Sequence, residues 1–350
     1  MLVNKSSVRS DNMLSDSERI ALIKRNTAEI FTDKELEEKV ASKNRFSAYL
    51  GRAITGPLHI GHLVSLGKML DIQKAGYKSI ILLADIHAAL DDLKSKWEEL
   101  SIRTEYTKKA IELSIDWNEP PTFVTGSDFQ LGKDYQMDIF RLSTLSTVKE
   151  ALHAASEVTR MKNPKVSELI YPIMQALDEQ YLKVDMQVGG LDQRHILMFA
   201  REFLPKLNYD KRIEVMMPLL ASLKGPGVKM SSSIPGTVIK VNSSEEEIRS
   251  AIKNAYCPEG VIEENPIVGI VNFLILPSEN KFIIPRASKF GGDVEITSAN
   301  ELNEMFAAKK IHPLDLKNTV ADYLVKRLKR VREYFESNED LLKRLGPKFQ

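Results

Sequence analysis

The chain has 350 residues, 43% of them hydrophobic, enough for a sizeable core and for two domains. Lysine plus arginine (49) nearly balances aspartate plus glutamate (48), so bulk charge gives no hint of nucleic acid and any RNA contact must come from local patches. The single cysteine, Cys257, excludes an internal disulfide framework and a multi-cysteine metal site. No apolar run approaches the ~18 residues that cross a bilayer, and the polar N-terminus lacks a signal-peptide core. The expectation is a cytoplasmic protein with no membrane partner.

In chain order, residues 1 to about 15 read as a tail. Caps at Ser15-Asp16-Ser17-Glu18 predict a short helix over 19–26, and Thr32 followed by acids predicts a second over 33–40. Residues 46–50 read as a strand. Leu63, Leu66, Met69, Leu70 and Ile72 make a helical stripe within 62–75, closed by Gly76, and the apolar run 79–84 predicts a strand covered on both faces. Strand, glycine-containing turn, helix and strand make one βαβ unit. The pattern recurs with a helix over 97–115, a strand over 122–125 and a helical, more polar insert at about 131–165. A strand over 184–188, a helix over 192–203 and a strand over 213–217 follow. This alternation predicts a doubly wound, parallel-sheet, Rossmann-like α/β domain. From about 237 the texture turns helical, starting at Ser243-Ser244-Glu245-Glu246-Glu247, which has the form of a helix N-terminus. The expected organisation is a tail with short helices (1–45), a catalytic domain (46–223), a mobile loop (224–236) and an all-helical C-terminal domain (237–350).

Three constellations carry chemistry. In His59-Ile60-Gly61-His62, two of the six histidines fall where a strand gives way to a helix. Free N–H groups and the positive end of the helix dipole attract anions there, imidazole donors can follow charge developing on a phosphate, and Gly56 and Gly61 admit a ligand close to the backbone. Two ordinary surface histidines at a turn would be the bland alternative. About 170 residues on, Lys229-Met230-Ser231-Ser232-Ser233 offers a point charge and hydroxyl donors for a polyphosphate, flanked by Gly225, Gly227 and Gly236, which suit a closing loop. Alone, that string reads as a serine-rich linker. Third, Tyr171, Gln175 and Asp178 share one helix face among Ile173, Met174 and Leu177. If that stripe faces inward it needs a partner, because buried unpaired polar groups are costly; the alternative is a solvent-facing stripe. Gly189-Gly190-Leu191-Asp192-Gln193 lies at the carboxyl end of a strand, where open α/β sheets bind ligands, and Asp192 can accept ribose hydroxyls, cap the next helix, or both.

Together with ILLADIHAAL (81–90), GSDFQLGKDY (126–135), AYCPEG (255–260), KFGGD (289–293) and HPLDLKN (312–318), these strings resemble the tyrosyl-tRNA synthetases of archaeal and eukaryotic cytosolic type, a class I family, over about residues 25–335. The resemblance implies that ATP activates L-tyrosine to tyrosyl-adenylate and pyrophosphate, and that tyrosyl then passes to the 3′ end of tRNA(Tyr). Mg²⁺ would accompany ATP, with no dedicated protein metal site. By the resemblance, Tyr49 and Asp178 hold the phenol, while Tyr171, Gln175 and Gln193 surround the amino group and nearby backbone atoms. Gly51 and Ala84 form the pocket floor, and His87 with Gln130 the wall. His59, Gly61 and His62 take the ATP phosphates, Lys229 and Ser232 the β,γ end, and Gly190 and Asp192 the adenosine. Arg194 matches a position near the tRNA acceptor end. Phe290 and Asp315, with His312 nearby, match the reading of the first anticodon base, where stacking and edge recognition suit an unpaired base. A homodimer through the 131–165 insert is also implied.

Two departures stand out: Ser232 replaces the second lysine of the usual Lys-Met-Ser-Lys-Ser, and Arg52-Ala53-Ile54-Thr55-Gly56 replaces the common Phe-Glu-Pro-Ser-Gly. The basic run 326–332 suits either RNA phosphates or a solvated helix face. Three rival readings are open. A tryptophanyl enzyme is disfavoured by the Tyr49/Asp178 pair, because indole offers one donor and no acceptor. A nucleotidyltransferase using the same two-histidine site has no need of a helical RNA-reading region. A synthetase-like RNA-binding protein without turnover would not need the full set of site residues.

Overall fold

The structure, a computed structural model, describes residues 14–42, 46–91, 94–156, 164–228, 230–232, 234–279 and 281–350, with only the backbone of Phe290. Six strands make one sheet: β1 (Glu29–Phe31), β2 (Ser47–Ala53), β3 (Lys78–Ala84), β4 (Thr122–Thr125), β5 (Met186–Gly190) and β6 (Ile213–Met217). Their spatial order is β1-β6-β5-β2-β3-β4, parallel throughout except for β1, which pairs antiparallel with β6. From β2 the chain winds outward to β3 and β4, then returns to lay β5 on the other side of β2. That reversal opens a crevice at the carboxyl ends of β2 and β5.

The expected doubly wound architecture is present, with boundaries displaced by a few residues: the helix read over 62–75 is Ile60–Lys74, and the strand read over 184–188 is Met186–Gly190. Ile80, Ile81, Leu82 and Leu83 are all buried because both faces of β3 are covered. Alternation along the strands separates the two sides. Leu50, Ile81 and Leu83 pack with Leu63 and Val64 of helix Ile60–Lys74, whereas Tyr49, Ile80, Leu82 and Ala84 form a cluster of their own on the opposite face. The strand β1 escaped the sequence reading because three residues carry no usable alternation; its pairing with β6 decides it.

The N-terminal helix Asp16–Lys24 opens with a capping box between Ser15 and Glu18. Its far end is closed from outside. The buried Lys68 donates to the carbonyls of Leu22 and Ile23, both at 3.0 Å, and reaches Asp71 Oδ2 at 3.3 Å, while Arg25 also pairs with Asp71. One ammonium thus satisfies carbonyls that a short helix leaves without partners.

The C-terminal region is helical, beginning with Glu245–Asn254, whose N-terminal capping box joins Ser244 and Glu247 as the sequence suggested. The all-helical expectation needs one amendment: β7 (Phe282–Ile284) pairs antiparallel with β8 (Val294–Ile296). Phe282, Ile284, Val294 and Ile296 are buried while the residues between them point out, a period-two pattern too short to stand out in a helical background. The basic run is largely occupied internally. Arg327 pairs with Asp116 at 3.0 Å, Arg332 is buried, and Arg330 donates to the carbonyls of Glu112, Leu113 and Ile115 at 3.0, 3.2 and 3.1 Å. Arg330 therefore caps helix Leu100–Ser114 instead of standing free for RNA.

Candidate active site

A cavity of about 370 Å³ occupies the crevice, bounded by β2, β5, the start of helix Ile60–Lys74, helix Val166–Tyr181 and loop residues 230–232. Its lining includes Tyr49, Gly51, Ala84, His87, Tyr171, Gln175, Asp178 and Gln193 at one end, and His59, Gly61, His62, Gly190, Asp192 and Ser232 at the other. The inward polar stripe on helix Val166–Tyr181 is therefore real: the i, i+4, i+7 spacing turns Tyr171, Gln175 and Asp178 onto the cavity.

At the closed end, Asp178 is buried, and its Oδ1 accepts from Gln130 Nε2 and from Tyr135 Oη, each at 2.8 Å. Burial pushes its pKa up to about 7, against the pull of those two donors. His87 Nε2 approaches Asp178 Oδ2 to 3.7 Å, but burial lowers the His87 pKa to about 4, so the ring is neutral and the approach is not an ion pair. Edge-to-face packing on Tyr171 holds that ring at a centroid distance of 4.7 Å. Tyr49 is fully buried in β2 and its hydroxyl donates weakly to Gln175 O at 3.4 Å; burial, then the nearby Asp178, keeps it protonated. Gln175 Nε2 donates to Gln193 Oε1 at 3.3 Å, tying the helix to the segment after β5.

At the open end, the backbone N–H of His59 donates to His62 Nδ1 at 3.1 Å, and the two rings lie with centroids 3.6 Å apart. That bond fixes the His62 tautomer: Nδ1 accepts, so Nε2 carries the proton. Burial, then the Arg52 charge, lowers the His59 pKa to about 3 and pushes His62 well down too, so both are neutral donors. The chain leaving the 224–236 loop is stitched to this corner, with Ile60 N donating to Ile239 O and Val241 N to Leu58 O, both at 3.0 Å. Met230 and Ser232 lie over it: a Cβ on Gly61 would come within 2.8 Å of Met230 Sδ, and one on Gly56 within 2.8 Å of Ser232 Oγ. A Cβ at either position would require those side chains to shift.

Several expectations need adjustment. Gln130 does not reach the cavity; fully buried, it stands behind Asp178 and orients it. Lys229 and the side chain of Phe290 lie outside the described residues. Arg194 is held by Glu29 through bonds of 2.8 and 3.1 Å and stacks on Phe31. His312 caps helix Pro313–Arg327 by accepting from Leu314 N at 3.2 Å, with Asp315 in its first turn. Tyr135 lies within the string GSDFQLGKDY, but no local signal marks its role, which depends on the contact with Asp178 across the fold. Gln187 and Arg52 also line the cavity, and no local pattern marks either of them.

A family sequence model described as tRNA synthetases class I (W and Y) matches residues 41–329, and the chain belongs to that family. The tyrosine–tRNA ligase of Archaeoglobus fulgidus is 44% identical over 332 residues, covering 94% of this chain and 98% of the relative. That of Methanocaldococcus jannaschii is 45% identical over 313 residues, covering 89% and 98%. The crystal structure of tyrosyl-tRNA synthetase from Archaeoglobus fulgidus, complexed with L-tyrosine, matches with a TM-score of 0.87 at 42% identity, covering 91% of this chain and 99% of that one.

Proposed function

We infer that this chain joins L-tyrosine to tRNA(Tyr) in two ATP-driven steps. The observation that carries the reading is the pairing of a buried tyrosine hydroxyl, Tyr49, with a buried carboxyl, Asp178, in one cavity with the His59/His62 corner. A phenol has one proton to give and lone pairs to receive, and those two groups complement it; an indole would leave one of them without a partner.

In the first step a tyrosine carboxylate oxygen bonds to the α-phosphorus of ATP while the bond to pyrophosphate breaks. No side-chain nucleophile is needed, so rate comes from positioning and electrostatics. Tyr171, Gln175 and Gln193 orient the amino acid, with Gly51 and Ala84 beneath it and His87 beside it. His59 and His62 donate to phosphate as neutral imidazoles, Gly61 and Gly190 admit the nucleotide, and Asp192 accepts from the ribose. Lys229 and Ser232 serve the β,γ end, with 224–236 as the loop that closes between the catalytic domain (46–223) and the C-terminal domain (237–350). Mg²⁺ arrives with the ATP phosphates. In the second step the 3′-terminal ribose of tRNA takes the tyrosyl group, with Arg194 near the acceptor end and Phe290, His312 and Asp315 at the anticodon.

We further propose a homodimer through the insert, supported by exposed apolar side chains: Met137, Phe140 and Leu145 on helix Lys133–Leu145, and Val148 and Val166 at the starts of the next two described helices. No described helix is long and apolar enough to cross a membrane, and the lone cysteine suits a reducing cytoplasm. ATP–pyrophosphate exchange with tyrosine, tryptophan and phenylalanine in parallel tests the whole reading. Exchange with tyrosine alone is expected; exchange with tryptophan, or with none of the three, rejects it.

A further inference from the structure

We propose that Arg52 is the fixed cation of the reaction centre, binding the α-phosphoryl oxygens of ATP and then of the tyrosyl-adenylate. The inference rests on the ligase reading and adds to it a residue whose position follows from the strand. Arg52 stands in β2, three residues after Tyr49 and seven before His59. Alternation puts it on the Leu50 face of the sheet, the side covered by helix Ile60–Lys74 and its leading histidines. It lines the cavity, half-buried.

Among the described residues, Arg52 makes no side-chain hydrogen bond and no ion pair, whereas the other described cation of the lining, Lys94, lies 2.7 Å from Asp91 Oδ2. A guanidinium brings five N–H donors, and holding it half-buried without partners is unfavourable. A site that keeps such a group in its lining is arranged to meet an anion. The charge bears on Tyr171 at the amino-acid end and on Asp192, His59 and His62 at the nucleotide end, which puts it between the two substrates. Burial lowers its pKa only to about 10, so it remains cationic at neutral pH. Both histidines are neutral and Ser232 brings a hydroxyl without charge. Among the described residues of the lining, fixed positive charge at the meeting point of carboxylate and α-phosphorus therefore comes from Arg52.

The chemistry suits a guanidinium. One P–O bond forms to the tyrosine carboxylate as the P–O bond to the β-phosphate breaks, and its electron pair leaves with pyrophosphate. No proton moves. The non-bridging α-oxygens stay anionic throughout and spread into a plane in the pentavalent state, where a planar donor fork holds two of them at once. A donor already oriented there lowers the barrier without reorganising.

The test uses the full chain as Arg52→Gln and Arg52→Lys. Three readouts are needed: ATP–pyrophosphate exchange at saturating tyrosine, equilibrium dialysis of labelled tyrosine, and thermal melting. Arg52→Gln is expected to lower the exchange kcat by about 10² or more while leaving tyrosine Kd and Tm near wild type. Arg52→Lys should regain part of that loss, because it restores the charge but not the fork. Unchanged exchange in Arg52→Gln overturns the proposal, as does a loss explained entirely by weaker tyrosine binding. If Arg52→Gln does not fold, Arg52→Lys decides alone, with a drop of about tenfold supporting the proposal and an unchanged rate rejecting it. A wild-type chain that exchanges with no amino acid removes the ligase reading and this inference with it. An active wild type beside an unimpaired Arg52→Gln removes only the role of Arg52.

Discussion

Asp178 holds a carboxyl where burial works against its charge and two donors work for it, so its pKa near 7 is the resultant of the two. Tyr135 makes the balance visible. Its hydroxyl lies 2.8 Å from both Met174 O and Asp178 Oδ1, and its single proton can go to the carbonyl when Asp178 is protonated and to the carboxylate when it is not. A tyrosine phenol donating to Oδ2 favours the ionised form. Binding must then weaken as pH falls through the folded pKa, while His59 and His87, already neutral there, contribute no slope. We predict that tyrosine Kd rises by about tenfold per unit below pH 7, and that Asp178→Asn binds about 10- to 100-fold more weakly with a flat profile. Equilibrium dialysis from pH 5.5 to 8 checks both; a sloping profile in the asparagine variant would assign the titration to another group.

Among the elements, the contact between helix Val166–Tyr181 and the sheet carries a pair of buried acids. Register places Tyr49, Gln187 and Glu214 side by side across β2, β5 and β6. Glu179 and Glu214 are fully buried, none of their four carboxyl oxygens has a hydrogen-bond partner, and Gln187 Oε1 lacks one too. Burial first pushes both pKa values up. The Asp178 carboxyl raises Glu179 further and Glu179 raises Glu214, while Arg212 and Arg201 oppose the shift only in part. The pair therefore keeps protons at neutral pH that the unfolded chain gives up near the usual carboxylate range. A folded pKa above the unfolded one means stability present at low pH and lost as pH rises, by about 1.4 kcal/mol per pH unit for each proton retained. Thermal unfolding at pH 5.5, 7 and 8.5 should show Tm falling across the series, less steeply in Glu214→Gln. An identical slope in that variant would mean the decline has another source.

Across the whole molecule, one cluster of buried apolar side chains runs from Ile23 through Leu63 and Ile81 to Phe349, so the sheet and the C-terminal helices share a core. Arg330 and the backbone bonds between 239–241 and 58–60 fasten the same two regions. The exposed apolar face of the insert belongs to this scale as well. Phe140, 63% exposed, lies one turn from Met137 on helix Lys133–Leu145. We predict that Phe140→Glu shifts a sedimenting dimer to monomer with little change in Tm, because a two-fold interface presents the charge from both copies while the monomer leaves it in water. A variant that still sediments as the wild type does would move the interface elsewhere.

The sequence by itself determined the alternating α/β order, the placing of His59 and His62 at a helix start and the polar stripe of helix Val166–Tyr181. Each of these is local: a capped helix, a covered strand or a face repeated every 3.6 residues is written in neighbouring positions. Tertiary structure alone decided the rest. It brought Tyr135 and Gln130 behind Asp178, put Glu179 close enough to raise Glu214, and left Arg52 in the cavity with no side-chain hydrogen bond among the described residues while turning Arg330 inward onto a helix end. Those roles depend on which distant group a side chain meets and on how much water is removed, and neither quantity belongs to any local stretch of chain.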